Sequence, residues 1–152
     1  MVETIPFKDG PFLQTAALCE KVLEEKDGVK SAIRMIDRVT RTLVSPTAVK
    51  EMEPFDHKFY LIIRFKKGRA QGNMKIRIDM VKPSGEKLSL PAADIYFEGE
   101  EDHGVDVVAD MTLKVEQTGI YWYRLFLDDI FITQMPLRIV YMNQVIGLPG
   151  TA

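Results

Sequence analysis

The chain is short of almost everything that catalytic and metal sites are usually built from. It has one cysteine, Cys19, and two histidines, His57 and His103. A single thiol cannot close an internal disulfide, so the fold does not depend on an oxidising compartment. One thiol and two imidazoles are also too few of the usual ligands for structural zinc. Charge of one sign is lacking too: 20 Lys and Arg stand against 22 Asp and Glu, for a net charge of −2, whereas nucleic-acid binders carry a strongly basic balance. No apolar run reaches the roughly 18 residues needed to cross a bilayer. The opening MVETIPFKDGPFLQ has neither the basic nor the apolar region of a secretory signal. No glycine-rich loop follows a strand and opens a helix, and VKPSGEK at 81–87 lacks P-loop spacing. The absences together point to a cytoplasmic protein with no cofactor and no nucleic-acid or membrane partner.

What is there is strand patterning. Val105, Val107, Ala109, Met111, Leu113 and Val115 alternate with Asp106, Val108, Asp110, Thr112, Lys114 and Glu116, a period of two that a helix would scatter around its circumference. Met74, Ile76, Ile78 and Met80 alternate in the same way with Lys75, Arg77 and Asp79, which are expected to face solvent, until Pro83 and Gly85 make a turn. Phe59, Leu61, Ile63 and Phe65 mark a further strand over 57–66, and 95–97 reads as a short one. The last strand, 131–141, contains Pro136, which calls for an edge position or a bulge. The stretch 14–26 fits a helix by its Ala, Leu, Glu and Lys content. It fits equally the first arm of a hairpin turning at Asp27-Gly28, and the hairpin is the favoured reading.

The run LCEKVLEEKDGVKSAIRMIDRV carries Leu18, Cys19, Gly28, Ser31, Ile33 and Asp37, and the later GIYWYRLFLDD and MPLRIVY carry Gly119, Tyr121 and Leu137–Val140. At these positions the chain resembles a family of short, functionally uncharacterised bacterial proteins with an opening hairpin and a closing hairpin entered by Gly-x-Tyr. The resemblance implies a β-sandwich and supplies no activity. Seven or eight strands in one antiparallel, immunoglobulin-like sandwich over 1–152 fit both the pattern and the resemblance, with 1–11 an irregular lead-in. No linker and no internal repeat divides the chain.

GIYWYRLFLDD, residues 119–129, concentrates aromatics. If Tyr121 turns inward at the Gly-x-Tyr entry, alternation sends Tyr123, Leu125 and Leu127 inward with it. Ile120, Trp122, Arg124 and Phe126 then share the outer face, where Arg124 avoids the cost of a buried unpaired charge. For Trp122 three readings stay open: a loop or the amino-terminal segment covers it; it anchors a protein partner or a second copy; or it is a carbohydrate platform.

The other candidates are less specific. Cys19 with His57 or His103 could form a nucleophile–base pair, although a free cysteine usually packs as a small hydrophobe. The acidic loop 98–110 offers Glu100, Asp102 and Asp106 as a calcium or small-ligand site, with a solvated loop as the bland reading. Lys66, Lys67, Arg69, Lys75 and Arg77 read as a solubilising edge. The expected function is therefore a non-enzymatic binding or assembly module that recognises a protein, or itself, through Ile120, Trp122, Arg124 and Phe126.

Overall fold

The computed structural model describes residues 7–45 and 52–146. They form ten strands: β1 (Phe12–Glu24), β2 (Lys30–Met35), β3 (Arg38–Ser45), β4 (Phe55–Lys66), β5 (Gly72–Val81), β6 (Lys87–Ser89), β7 (Ala93–Phe97), β8 (Gly104–Val115), β9 (Gly119–Leu127) and β10 (Ile130–Val145). No described helix is long and apolar enough to cross a membrane. The first sheet runs β2-β1-β4-β8; the second runs β3-β10-β9-β5, with β6 and β7 both on the far edge of β5. All pairings are antiparallel except β3 with β10.

The architecture is all-β and sandwich-like, as the pattern predicts, but with ten strands rather than seven or eight. The two that the pattern does not reveal are β3 and the three-residue β6. Of the amino-terminal lead-in, residues 1–6 lie outside the described residues, and Phe7–Gly10 close a turn through Gly10 N–H to the Phe7 carbonyl at 2.9 Å.

Alternating side chains of both sheets meet between them. Leu18, Phe59, Leu61, Ile63, Phe65, Leu113 and Val115 from the first sheet pack with Ile76, Ile78, Met80, Tyr121, Tyr123, Leu125, Leu127, Leu137 and Ile139 from the second. Phe59 meets Tyr123 edge-to-face at 5.6 Å, the arrangement that aromatic quadrupoles prefer. Tyr121 donates its hydroxyl hydrogen to the Gln117 carbonyl at 2.9 Å, so its buried polar tip is satisfied while the ring fills the core.

The β1–β2 region is the hairpin, not the helix. Glu25 N–H donates to the Val29 carbonyl and Gly28 N–H to the Glu25 carbonyl, while Gly28 takes a φ of +86°, which costs a glycine little. β1 pairs with β4 only as far as Cys19–Tyr60, and from Cys19 onward it pairs with β2. If β1 ran straight, Lys30 would lie nine residues along the strand from the level of Asp106, roughly 30 Å away at about 3.3 Å per residue. Instead Lys30 Nζ is 3.7 Å from Asp106 Oδ2. The hairpin therefore folds back across the outer face of the first sheet, which explains why Ile62, on that face, is almost fully buried.

Pro136 sits in an interior strand, but β3 joins β10 only from Arg138 onward. At Pro136 the β3 side has no ladder to break, so the position is a local edge; the bulge in β10 is elsewhere, between Phe131 and Thr133.

Replacing Tyr121 by Phe should cost about 1 kcal/mol, the value of one intramolecular hydrogen bond, and Leu125→Ala should cost about 2–5 kcal/mol as a core truncation. Urea denaturation of the two variants beside the wild-type chain measures both.

Candidate functional site

β9 lies between β5 and β10, so both its edges are paired and only its two faces remain to be assigned. Tyr121, Tyr123, Leu125 and Leu127 are buried, and Ile120, Trp122, Arg124 and Phe126 alternate with them as half-buried residues. The register places Val81 and Pro136 on either side of Trp122, Asp79 and Gln134 on either side of Arg124, and Arg77 and Phe131 on either side of Phe126. The four residues expected on the outer face are there. Within the sheet, Trp122 is flanked by β5 and β10.

The face is organised by cation–aromatic contacts. The Arg77 guanidinium lies 4.3 Å from the centroid of the Phe126 ring. Arg124 lies 5.5 Å from the same ring and 5.2 Å from Phe131, and the two rings meet edge-to-face at 5.7 Å. Asp79 is the centre of charge beneath them. It is on the outer face as expected, but it is fully buried rather than solvated. Its carboxylate meets Arg77 Nε at 3.2 Å and Lys87 Nζ at 3.3 Å. Burial is the largest influence on its pKa and pushes it upward; hydrogen bonds from Ser89, Lys87 and Arg77 together outweigh it and leave the group below the ordinary carboxylate range. Arg77 also pairs with Asp129 of the β9–β10 turn, which fixes the guanidinium from its other end.

The remaining candidates are not assembled. Cys19 is fully buried, and burial raises its thiol pKa despite backbone hydrogen bonds at Lys21 and Ile33. His57 stacks on Phe59 at 6.0 Å on the core side of β4, whereas Cys19 pairs with Tyr60 on the opposite side of that sheet. Burial lowers the His57 pKa and the charge of Glu20 opposes the shift. His103 belongs to the loop before β8, its carbonyl accepting from Lys67 N–H at 2.8 Å.

The acidic loop is knitted into its surroundings. The Glu101 carbonyl accepts from Gly68 N–H and the Asp102 carbonyl from Lys66 Nζ, while the Glu100 and Asp102 side chains are exposed. Asp106 stands apart from them, accepting from Arg64 Nη1 at 2.6 Å with Lys30 at 3.7 Å. A carboxylate with two cations beside it has little charge left for a calcium ion. No group of three His, Cys, Asp or Glu residues suited to a metal occurs among the described residues. Asp106 instead lines an open cleft of about 610 Å³ under the hairpin tip, with Asp27, Lys30, Arg64 and His103. A Cβ at Gly104 would come within 2.1 Å of Arg64 Nη2, so any side chain there would displace the Arg64 guanidinium. The cleft's cations and carboxylates balance.

Of Lys66, Lys67, Arg69, Lys75 and Arg77, read as a solubilising edge, Lys67 does not fit that role, whereas Arg69 and Lys75 are exposed. Lys67 is buried, and its ammonium donates to the Gly68 and Ala70 carbonyls at 3.0 and 2.9 Å, holding the β4–β5 loop closed. Lys75 and Arg77 belong with the β9 face. Sequence reasoning missed Asp79, Arg77 and Phe131 as parts of that face; the available signal was the shared parity of Arg77 and Asp79, which needed the β5–β9 register to become informative.

A buried thiol held protonated should be inert. Cys19 is expected to resist Ellman's reagent in the native protein at pH 8 and to react fully once urea unfolds the chain. Asp79 makes a second prediction. A carboxylate whose pKa is depressed on folding stabilises the protein above its unfolded pKa, and that stability is lost as the pH falls through the folded value. Asp79→Asn should therefore lower stability at neutral pH and flatten the acid-side decline below about pH 4, as measured by denaturation midpoints across a pH series.

A comparison with curated proteins finds no match. Residues 14–140 match a protein family described as a family of unknown function (DUF6941), a span that takes in most of both hairpins and the whole of β9. The chain belongs to that family of unknown function.

Proposed function

We propose that the protein is a binding or assembly module rather than an enzyme, an immunoglobulin-like sandwich acting in the cytoplasm that recognises a protein partner through the outer face of β9. The observation that carries the reading is the fixed ladder Arg77–Phe126–Arg124–Phe131 beside Trp122. These side chains are held in place on an open face while contributing nothing to the core between the sheets. Trp and Arg are enriched among the residues that dominate binding energy, and side chains already immobilised lose less entropy on association. The Tyr121–Gln117 bond supports the immunoglobulin-like assignment, because it is the bond that a tyrosine corner makes. The burial of Cys19, and its separation from His57 by the first sheet, supports the non-enzymatic reading.

Trp122→Ala should weaken partner capture by at least ~2 kcal/mol while leaving the melting temperature within a few degrees of wild type. Lys114→Ala, exposed on the opposite sheet, serves as a control. The measurement is quantitative capture from the native source with the three proteins as bait, alongside light scattering to register any self-association. A protein retained equally by Trp122→Ala would remove the reading.

A further inference from the structure

The chain as a whole is slightly acidic, and its charges are not evenly placed. The register of the second sheet brings Arg38, Lys75, Arg77, Lys87, Arg124 and Arg138 to its outer face. The carboxylates on the same face are Asp79, sealed beneath Arg77 and Lys87, and Asp94, opposite Lys75; at its end Asp129 pairs with Arg77 and Asp128 accepts from Lys75 N–H. Six cations against these four carboxylates leave the face positive by two, while other acidic residues collect in loops such as 98–102.

Resting on the reading of this face as an interface, we propose that its partner is an acidic protein segment bearing apolar side chains. Apolar groups would pack on Trp122 between Val81 and Pro136, and carboxylates would meet the flanking Lys75, Arg124 and Arg138. Arg138 and Lys75 are exposed, and neither makes an ion pair among the described residues. Nor is an ion pair made by Arg124, whose Nε is buried without a hydrogen-bond partner. These are cations that a carboxylate would satisfy.

Two other occupants fit less well. A second copy meeting this face through the same face would oppose like charges, which costs several kcal/mol. A single-stranded nucleic acid needs open aromatic faces on which bases stack. Here Arg77 and Arg124 already lie against Phe126, and Arg124 against Phe131.

The test is fluorescence anisotropy of the full chain with a labelled Glu/Leu/Phe peptide, its Gln- and Lys-substituted counterparts, and an oligothymidylate. The Glu peptide should bind about tenfold or more tightly than the Gln peptide, and its affinity should fall as salt rises. Lys75→Glu with Arg138→Glu should abolish that preference with the fold intact, because both side chains are exposed. Failure of the Glu peptide to bind, equal binding of the Gln peptide, or tighter binding of oligothymidylate each overturns the acidic-partner inference. None of these touches the interface reading, which fails separately if Trp122→Ala leaves both peptide binding and partner capture unchanged.

Discussion

A pleated strand whose edges are both paired has two faces and no third choice for its side chains. In β9 that constraint decides most of the molecule. The core needs Tyr121, Tyr123, Leu125 and Leu127, so Trp122, Arg124 and Phe126 must stand on the other side, whatever their hydrophobicity. The neighbours follow from the same register: Val81, Asp79 and Arg77 on one flank, Pro136, Gln134 and Phe131 on the other. A surface so rich in aromatic and cationic groups is the complement of a well-packed interior.

Asp79 shows how such a surface remains compatible with a stable fold. Several cations gathered on one sheet face repel each other, and a buried carboxylate beneath them, with Asp129 at the edge, offsets part of that repulsion. A buried charge is tolerated only with good partners, and Asp79 has Arg77 and Lys87 within 3.3 Å. The carboxylate therefore acts as an internal counterion. It leaves the outer layer of guanidinium and ammonium groups positive toward solvent.

The sequence made much of this legible wherever the signal was local. Strict alternation located β4, β5, β8 and β9 and sorted their faces, and Asp27-Gly28 located the first hairpin. What stayed hidden depended on residues far apart. β3, with Arg38, Thr40, Arg41 and Thr42, has little apolar alternation of its own and becomes a strand because β10 offers it a ladder. Asp79 looks like an ordinary solvent-facing residue until Lys87 and Arg77 are placed over it. The hairpin's fold-back cannot be read from 12–35 at all, since its evidence is an ion pair with Asp106, on the fourth strand of the sheet. Of the candidate site, the four β9 residues were readable, and the cations and the second aromatic that organise them were not.

The β3–β10 ladder also bears on how the chain reaches this state. Each residue of β3 pairs with one exactly a hundred positions later in the chain, whereas β9 and β10 are joined by a two-residue turn at Asp128-Asp129. Closing a long loop costs more chain entropy than closing a short one, and contacts between distant residues slow the search. The carboxy-terminal hairpin can form while β3 is still free, and β3 can dock only when β10 is in place. The order of assembly thus runs against the order of synthesis: the amino-terminal third waits for the last strand before its final pairing is complete.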